Sequence, residues 1–429
     1  MKYIYITLLC MVILPFTSHA QTYTLEQCLT AALEKNRSIK NSLLEMEMSK
    51  QSRREAFTSY FPNISASGMA FQSSKNLLQA DVDLMGFATL PLSFIKKGMV
   101  AAATAVQPVF AGLQVANGNK LARLGEEVSQ LQHHLTENEV TQKTVEYYWT
   151  IASLNNHLAT LDAVDKLLAE IHRQVALAVK TGLTTRNDLL RVELRQQEIS
   201  SQRLKLENGL RVSKMVLAQY IGADFTSFDI VTDEFVQPEP PLSYYVAPKD
   251  AVQQRFEYQL AQKNVEAQRY QVRMERGKHL PTVGVGVGQI YYNIMKKDVN
   301  TGLAFGSVSV PISSWWGGSH AIKKARLKKQ QAENDQADAE ELLMVQIEQL
   351  WSELTEAYAQ IELARKSIAS STENLKLNKQ HFEAGNSSLS DLLNAETLYT
   401  ESRNNYTNAC AEYQTKLSNY LKHTRNEEF

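Results

Sequence analysis

Apolar residues recur every three or four positions through most of this chain, and give way to strict alternation in only two places. Thr24-Leu25-Glu26-Gln27 has the form of a capping box and predicts a helix start, with Leu25, Leu29, Ala32 and Leu33 on one face. Helical spacing continues from about Ser38 to Tyr60 and stops at Pro62, giving predicted helices over 24–60. From Ile64 to Ser73 small residues alternate, residues 74–98 read as a loop, and Met99 to Phe110 alternates again. Residues 62–112 are therefore predicted as a β-hairpin with a long connection. The helical period returns near Gly118 and holds to about Lys180, through Leu121, Leu124, Val128, Leu131, Val145, Trp149, Leu161, Leu168, Ile171 and Val175. About 60 residues at 1.5 Å each make a helix of about 90 Å, wider than an ordinary domain and coiled-coil-like in character. Gly182 ends it in the turn Thr181-Gly182-Leu183-Thr184-Thr185. A helix over 187–220 follows, then a Pro-rich connector over 223–249.

The second half repeats the first. Lys120 to Leu124 matches Lys323 to Leu327, Pro108 matches Pro311, and Gly182 matches Gly385. Asp188-Leu189-Leu190 matches Asp391-Leu392-Leu393, and Glu193 matches Glu396, every pair 203 residues apart. Upstream, Ala32 pairs with Ala251 and Pro62 with Pro281 at a spacing of 219, because the first hairpin has the longer loop. The repeats span 21–222 and 250–423, with a tail over 424–429. The second predicts a helix over 250–279, a hairpin over 281–313, a long helix over 319–384 and a helix over 390–422. Its strands are Val283 to Gly288, with glycine at every other position, and Leu303 to Ile312. The long helix carries a heptad seam: Leu343, Ile347, Leu350, Leu354, Ala357, Ile361, Ala364, Ile368, Ser371, Leu375, Asn378 and Phe382.

Composition sharpens this picture. The 429 residues hold only 18 Gly and 10 Pro, consistent with long unbroken helices. Lys plus Arg number 45 against 46 Asp plus Glu, a balance without the basic footprint of a nucleic-acid-binding protein. The first twenty residues stand apart: Lys2, an apolar run from Ile4 to Phe16, and Ser18-His19-Ala20 before Gln21 form a cleavable secretory signal peptide over 1–20. Cys10 in that run lacks the small neighbours of a lipoprotein signal. Two cysteines remain after cleavage, Cys28 and Cys410. Export permits them to pair, while two half-buried thiols on separate helices is the simpler reading.

Four strands cannot close a barrel, and a bilayer does not tolerate open sheet edges. Strands of about 9 to 12 residues suit a tilted outer membrane span, and Phe71, Phe110, Tyr291, Tyr292, Trp315 and Trp316 near their ends resemble an interfacial girdle. Three chains with four strands each would close a barrel of twelve. In this plan the chain resembles the TolC family of outer membrane efflux proteins over essentially the whole mature sequence. The motifs are Ala31 to Asn36, Tyr60-Phe61-Pro62, Gln107 to Gly112, and the turns Gly182-Leu183-Thr184 and Ala384 to Ser388, each followed by Asp-Leu-Leu.

The resemblance implies a mainly α fold with a small β part. It implies a homotrimer, a twelve-stranded outer membrane β-barrel and a long periplasmic α-helical barrel holding most of the mass. It also implies a passive exit duct for substrates passed from an inner membrane transporter by a periplasmic adaptor protein. By position, the family's adaptor-contacting entrance tips fall on Thr181, Gly182, Leu183, Thr184, Thr185 and Asp188, and on Gly385, Asn386, Ser387, Ser388 and Asp391. Glu373, Lys376, Lys379 and Glu383 stand where the family lines its entrance, in place of the acidic rings of some members.

Catalytic chemistry is not evident. The nine histidines show no metal-ligand spacing, His133-His134 reads as a solvated helix face, and no nucleophile elbow or phosphate loop occurs. Gly284-x-Gly286-x-Gly288 lacks the strand-loop-helix setting of a dinucleotide site and reads as barrel strand. No cofactor or metal is expected. Asp188 and Asp391 read as helix N-caps, with an entrance charge as a second role. The alternative to a channel is a periplasmic coiled-coil adaptor or scaffold, which would lack the paired hairpins; an exported enzyme is the remote third reading.

Overall fold

A computed structural model describes residues 21–83, 89–225, 228–231, 235, 238–294 and 297–424. The predicted leader and the end of the tail lie outside these residues. The elements run β1 (Gln21–Tyr23), α1 (Leu25–Lys35), α2 (Arg37–Thr58), β2 (Asn63–Gln72), β3 (Leu78–Asp83), β4 (Thr89–Phe94), β5 (Lys97–Ala111), α3 (Gln114–Lys180) and α4 (Arg186–Ile221). The rest of the chain forms β6 (Phe228–Ile230), a 3-10 turn (Pro241–Tyr244), α5 (Pro248–Val252), α6 (Phe256–Gly277), β7 (Thr282–Ile294), β8 (Lys297–Ser309), α7 (Ser314–Glu383) and α8 (Leu389–Thr424). The chain divides into two units.

One unit, Leu44–Leu131 with Gln259–Ala339, holds the sheet and the helix segments that run into it. The four strands form one antiparallel sheet in the order β2-β5-β7-β8, so the hairpins of the two repeats pair directly through β5 and β7. Registers such as Ser65↔Thr104↔Gly288↔Leu303 align all four strands, and β2 and β8 are left as edges. No charged residue falls within 63–72, 98–111, 282–294 or 299–309; Lys97, Lys297 and Asp298 stand only at the hairpin ends. The alternating glycines make room across the strands. A Cβ on Gly286 would sit 2.5 Å from the Phe305 ring, and one on Gly288 would press on Thr104. Where the second strand turns into α3, Gly112 (φ +59°) lies against Gly277 so closely that a Cβ on either would meet the other's carbonyl oxygen at 2.1 Å.

The other unit, Met1–Leu43 with Gln132–Tyr258 and Glu340–Phe429, is mainly helical among its described residues, with the short strands β1 and β6. Two of its cores are repeats of each other. In the first, Cys28, Ala32, Val140, Tyr148, Ile151, Leu217 and Ala218 pack together. In the second, Leu343, Ile347, Leu354, Tyr413 and Tyr420 do so with Ala251 and Val252. Val140, Ile151 and Leu217 lie 203 residues before Leu343, Leu354 and Tyr420, so the repeat extends to packing. The predicted heptad seam faces inward along α7, fully buried at Ile347, Leu354 and Ile361. Cys28 and Cys410 sit in different cores and are free, and burial pushes their thiols up to about 12 and about 11. No described helix is long and apolar enough to cross a membrane.

Several expectations need correction. The 74–98 connection holds a two-stranded antiparallel hairpin, β3 with β4. Its pairing comes from the strands alone, and six residues are too few for a strong periodic signal. The partner strand in the second repeat is Lys297–Ser309 and not Leu303 to Ile312, because pairing runs back to Lys297 opposite Ile294. Strand lengths reach 15 residues. Trp315 and Trp316 open α7, and the Trp315 indole N–H donates to the carbonyl of His279 at 2.9 Å. The two helical stretches read over 24–60 are α1 and α2, which meet at Asn36, whereas the single helix expected over 250–279 is broken at residues 253–255. Asn36 ends α1 by donating from its side chain to the Tyr220 carbonyl. Inside the predicted connector, β6 pairs in parallel with β1. His133 is not solvated: its Nδ1 lies 2.7 Å from Ser42 Oγ and only 12% of its side chain is exposed. His134 is half exposed and stacks on Phe256.

Candidate functional site at the helix-pair tips

Both long helices end in the same way, and for the same reason. Gly182 and Gly385 take φ of +73° and +76°, the left-handed conformation that closes a helix cheaply only with glycine. Behind them, the Leu183 N–H bonds the Ala178 carbonyl and the Asn386 N–H bonds the His381 carbonyl, both at 2.8 Å. These are Schellman closures, and they satisfy carbonyls that the helix end would otherwise orphan. Neither glycine has any atom within 4 Å of where a Cβ would lie. The requirement for glycine here is conformational, with no steric part.

Each turn then starts the next helix with a reciprocal cap. Thr185 and Ser388 are the N-caps, so Asp188 and Asp391 are not caps themselves but the third residue of each helix. The Thr185 Oγ1 accepts from the Asp188 N–H at 3.3 Å, and the Asp188 carboxylate accepts from the Thr185 N–H at 3.3 Å. The Ser388 and Asp391 pair repeats this at 3.2 Å both ways. Hydroxyl donation from Thr184, then Thr185, holds the Asp188 carboxyl below its ordinary range; Ser388 does the same for Asp391. Spacing along the chain singles out the Asp but not which of the preceding hydroxyl residues takes the cap, which lies three residues earlier.

The two tips meet in one cleft. Leu183, Thr184 and Asp188 of the first and Glu383, Gly385, Ser387 and Ser388 of the second line it, over a floor of Val175, Ala178, Phe382 and Leu389. Thr181, Gly182, Thr185, Asn386 and Asp391 do not line this cleft. Leu183 is 83% exposed, so one apolar side chain stands out from an otherwise small and polar turn. Below lies a core shared by all four helices, with Leu168, Ile171, Val192, Ile199 and Leu392 buried.

The charges above the second tip are paired. Lys376 contacts Glu373 at 3.2 Å along α7, and Lys379 reaches Glu170 on α3 at 3.4 Å and Glu383 at 4.0 Å. The four predicted lining residues thus form two separate pairings, and Glu170 joins them. One further group escaped the sequence reading. Arg195 on α4 makes a bidentate contact with Glu396 on α8, at 2.9 and 3.3 Å. The Glu396 side chain is fully buried, and Thr400 donates to it at 2.8 Å. Glu396 is the repeat partner of Glu193, but its burial depends on which helix face meets α4. Among the described residues no group of His, Cys, Asp and Glu is placed to hold a metal.

The strand-helix order, the sheet topology and the paired tips define a fold that can be compared with known proteins. Residues 247–419 match the family model described as outer membrane efflux protein. That match falls almost wholly on the second repeat. Solved structures share the fold over nearly the whole chain. CusC has a TM-score of 0.78 at 12% identity, covering 93% of this chain and 91% of its own. The outer membrane protein VceC of Vibrio cholerae has a TM-score of 0.74 at 12% identity, covering 93% and 95%. The CmeC outer membrane channel of Campylobacter jejuni has a TM-score of 0.73 at 15% identity, covering 94% and 87%. No curated protein sequence matches.

Proposed function

We propose that this chain is the outer membrane channel component of a tripartite efflux system. It would act as a homotrimer that receives substrate from an inner membrane transporter through a periplasmic adaptor. The observation that carries this reading is the four-stranded sheet, uncharged along its strands and open at both edges. Such a sheet is stable in a bilayer only when its edges are paired. Three copies of four strands supply a closed barrel of twelve, within the range of outer membrane barrels. Each strand continues into a helix within a few residues, so a closed ring of strands implies a ring of helices beneath it. The paired tips, with exposed Leu183 between small polar residues, are the surface we assign to the adaptor. The adaptor or scaffold alternative is disfavoured, because it gives the uncharged sheet no role. The matched family and the similar structures are channels, which fits a protein that moves substrate without transforming it.

The test is to place Cys at Leu183 in cells that carry the candidate adaptor, and to separate the membranes. The reading predicts the protein in the outer membrane fraction, with an adaptor crosslink from position 183 and none from an exposed control such as Lys205→Cys. A soluble periplasmic protein would refute it.

A further inference from the structure

The near-neutral net charge conceals a segregation. The sheet-bearing unit, Leu44–Leu131 with Gln259–Ala339, contains 20 Lys and Arg against 13 Asp and Glu, and the remainder contains 25 against 33. The excess is concentrated in the helix turns next to the sheet. In α7, Lys323, Lys324, Arg326, Lys328 and Lys329 precede the first acid at Glu333. Arg269, Arg273 and Arg276 occupy the last turns of α6 and Lys278 follows its end, with Glu275 the one acid among them.

Between α2 and α3 this excess lines a defined cleft of about 610 Å³. Lys50, Arg53 and Arg54 face Lys120 and Arg123 across it, and Glu126 is the one acid in its wall. Glu126 pairs with Arg53 at 2.7 Å; Glu47 and Glu127 stand beside Lys50 and Arg123 at 3.6 and 3.4 Å. Arg54 and Lys120 make no ion pair among the described residues. Phe57 and Tyr60 form the end of the cleft nearest the sheet. Their rings lie 5.6 Å apart, with Phe61 also 5.6 Å from Phe57, and all three are substantially exposed. Tyr60 is three residues from the first residue of β2.

From the sheet outward the order is therefore uncharged strand, aromatic cluster, cationic cleft. That is the order of hydrocarbon, interface and headgroup phosphate across one leaflet. We propose that this cleft binds the phosphate of an anionic phospholipid of the leaflet bordering the helices, with the acyl chains directed past Phe57 and Tyr60 along the sheet. A free phosphate ion satisfies the cations but not the aromatic end. The lipid satisfies both, and a partner protein would leave the uncharged band beside it unexplained. The inference rests on the outer membrane reading above and adds a ligand class and a site to it.

The experiment uses the purified full-length protein in zwitterionic detergent, with thermal melting followed during titration of phosphatidylglycerol, phosphatidylcholine or inorganic phosphate. Phosphatidylglycerol should raise the melting temperature saturably, and the other two should not. The Arg53→Gln, Arg54→Gln, Arg123→Gln triple variant should shift half-saturation about a hundred-fold, from three cations near a phosphate surface. A triple variant at Lys205→Gln, Lys366→Gln and Arg403→Gln should not shift it. An equal response to phosphatidylcholine, an equal response to inorganic phosphate, or an unshifted Arg variant overturns the proposal. If the Arg variant does not fold, the unaltered protein decides: half-saturation must weaken at least ten-fold or so between low and half-molar salt, and salt independence overturns the site. A protein that partitions into the outer membrane yet shows no lipid preference sinks this inference alone; one that never enters a membrane sinks both.

Discussion

Removing Arg195 should loosen the tip region more than any other single polar change near it. Glu396 is fully buried and Arg195 is 15% exposed, so Arg195→Met leaves a carboxylate without its countercharge in the core between α4 and α8. Breaking one side of such a pair costs about 3–5 kcal/mol, because the remaining charge is neither solvated nor paired. Replacing both partners by apolar residues is far less costly, since desolvation of both charges is then avoided. The Arg195→Met, Glu396→Leu double variant should recover most of the loss, with Thr400 turning its hydroxyl to a backbone carbonyl one turn back. The assay is amide hydrogen exchange over residues 186–200 and 389–400, which reads local opening without requiring reversible unfolding of a large assembly. The single variant should raise exchange by about two to three and a half orders of magnitude. The double variant should return to within about one order. If Arg195→Met changes exchange less than about ten-fold, or if the double variant is worse than the single, the reasoning about uncompensated burial fails at this site.

The glycines that close the long helices should be replaceable by Asn at modest cost but not by Pro. Gly182→Asn with Gly385→Asn should lower tip stability by about 1 kcal/mol and preserve the adaptor crosslink, whereas the Pro pair, incompatible with φ near +75°, should abolish it. Gly277→Ala should destabilise the sheet-bearing unit by at least about 1–3 kcal/mol, since the added carbon meets a backbone oxygen that no rotamer change can move; thermal melting measures it. His423, half-buried and near Arg255, has its pKa held below the ordinary 6.5, by desolvation first and Arg255 second. A base with a depressed folded pKa favours folding above its unfolded value. Stability should therefore decline as pH falls from about 6.5 through the lower folded value, and His423→Gln should flatten that part of the pH–melting curve.

The duplication, the inward seam of α7 and the two glycine turns were legible because each is a matter of spacing along one chain. The heptad from Leu343 to Phe382 faces inward, and Gly182 and Gly385 adopt the left-handed turn. What escaped depends on partners remote in sequence. The β1–β6 pairing joins residues about 200 apart through three residues each, too short for any periodic signal. Glu396 looks like an ordinary exposed helix carboxylate until α4 brings Arg195 against it. His133 appears solvated in its polar stretch, but Ser42 of α2 covers it. The tip cleft was half legible: the turns were found, while its floor of Val175, Phe382 and Leu389 belongs to seams that sequence assigns to packing alone.

The central claim is that the open edges of the sheet are closed by other copies of the chain. It is tested by cysteines on the two edge strands, Ser65→Cys on β2 combined in turn with Gly302→Cys, Leu303→Cys, Phe305→Cys or Ser307→Cys on β8, oxidised in isolated outer membranes. Within one chain β2 and β8 are separated by β5 and β7, so a bridge must be intermolecular. The account predicts that at least one pair drives the protein to a covalently closed trimer under non-reducing conditions. Monomer for every pair, or open ladders beyond three copies, would contradict it.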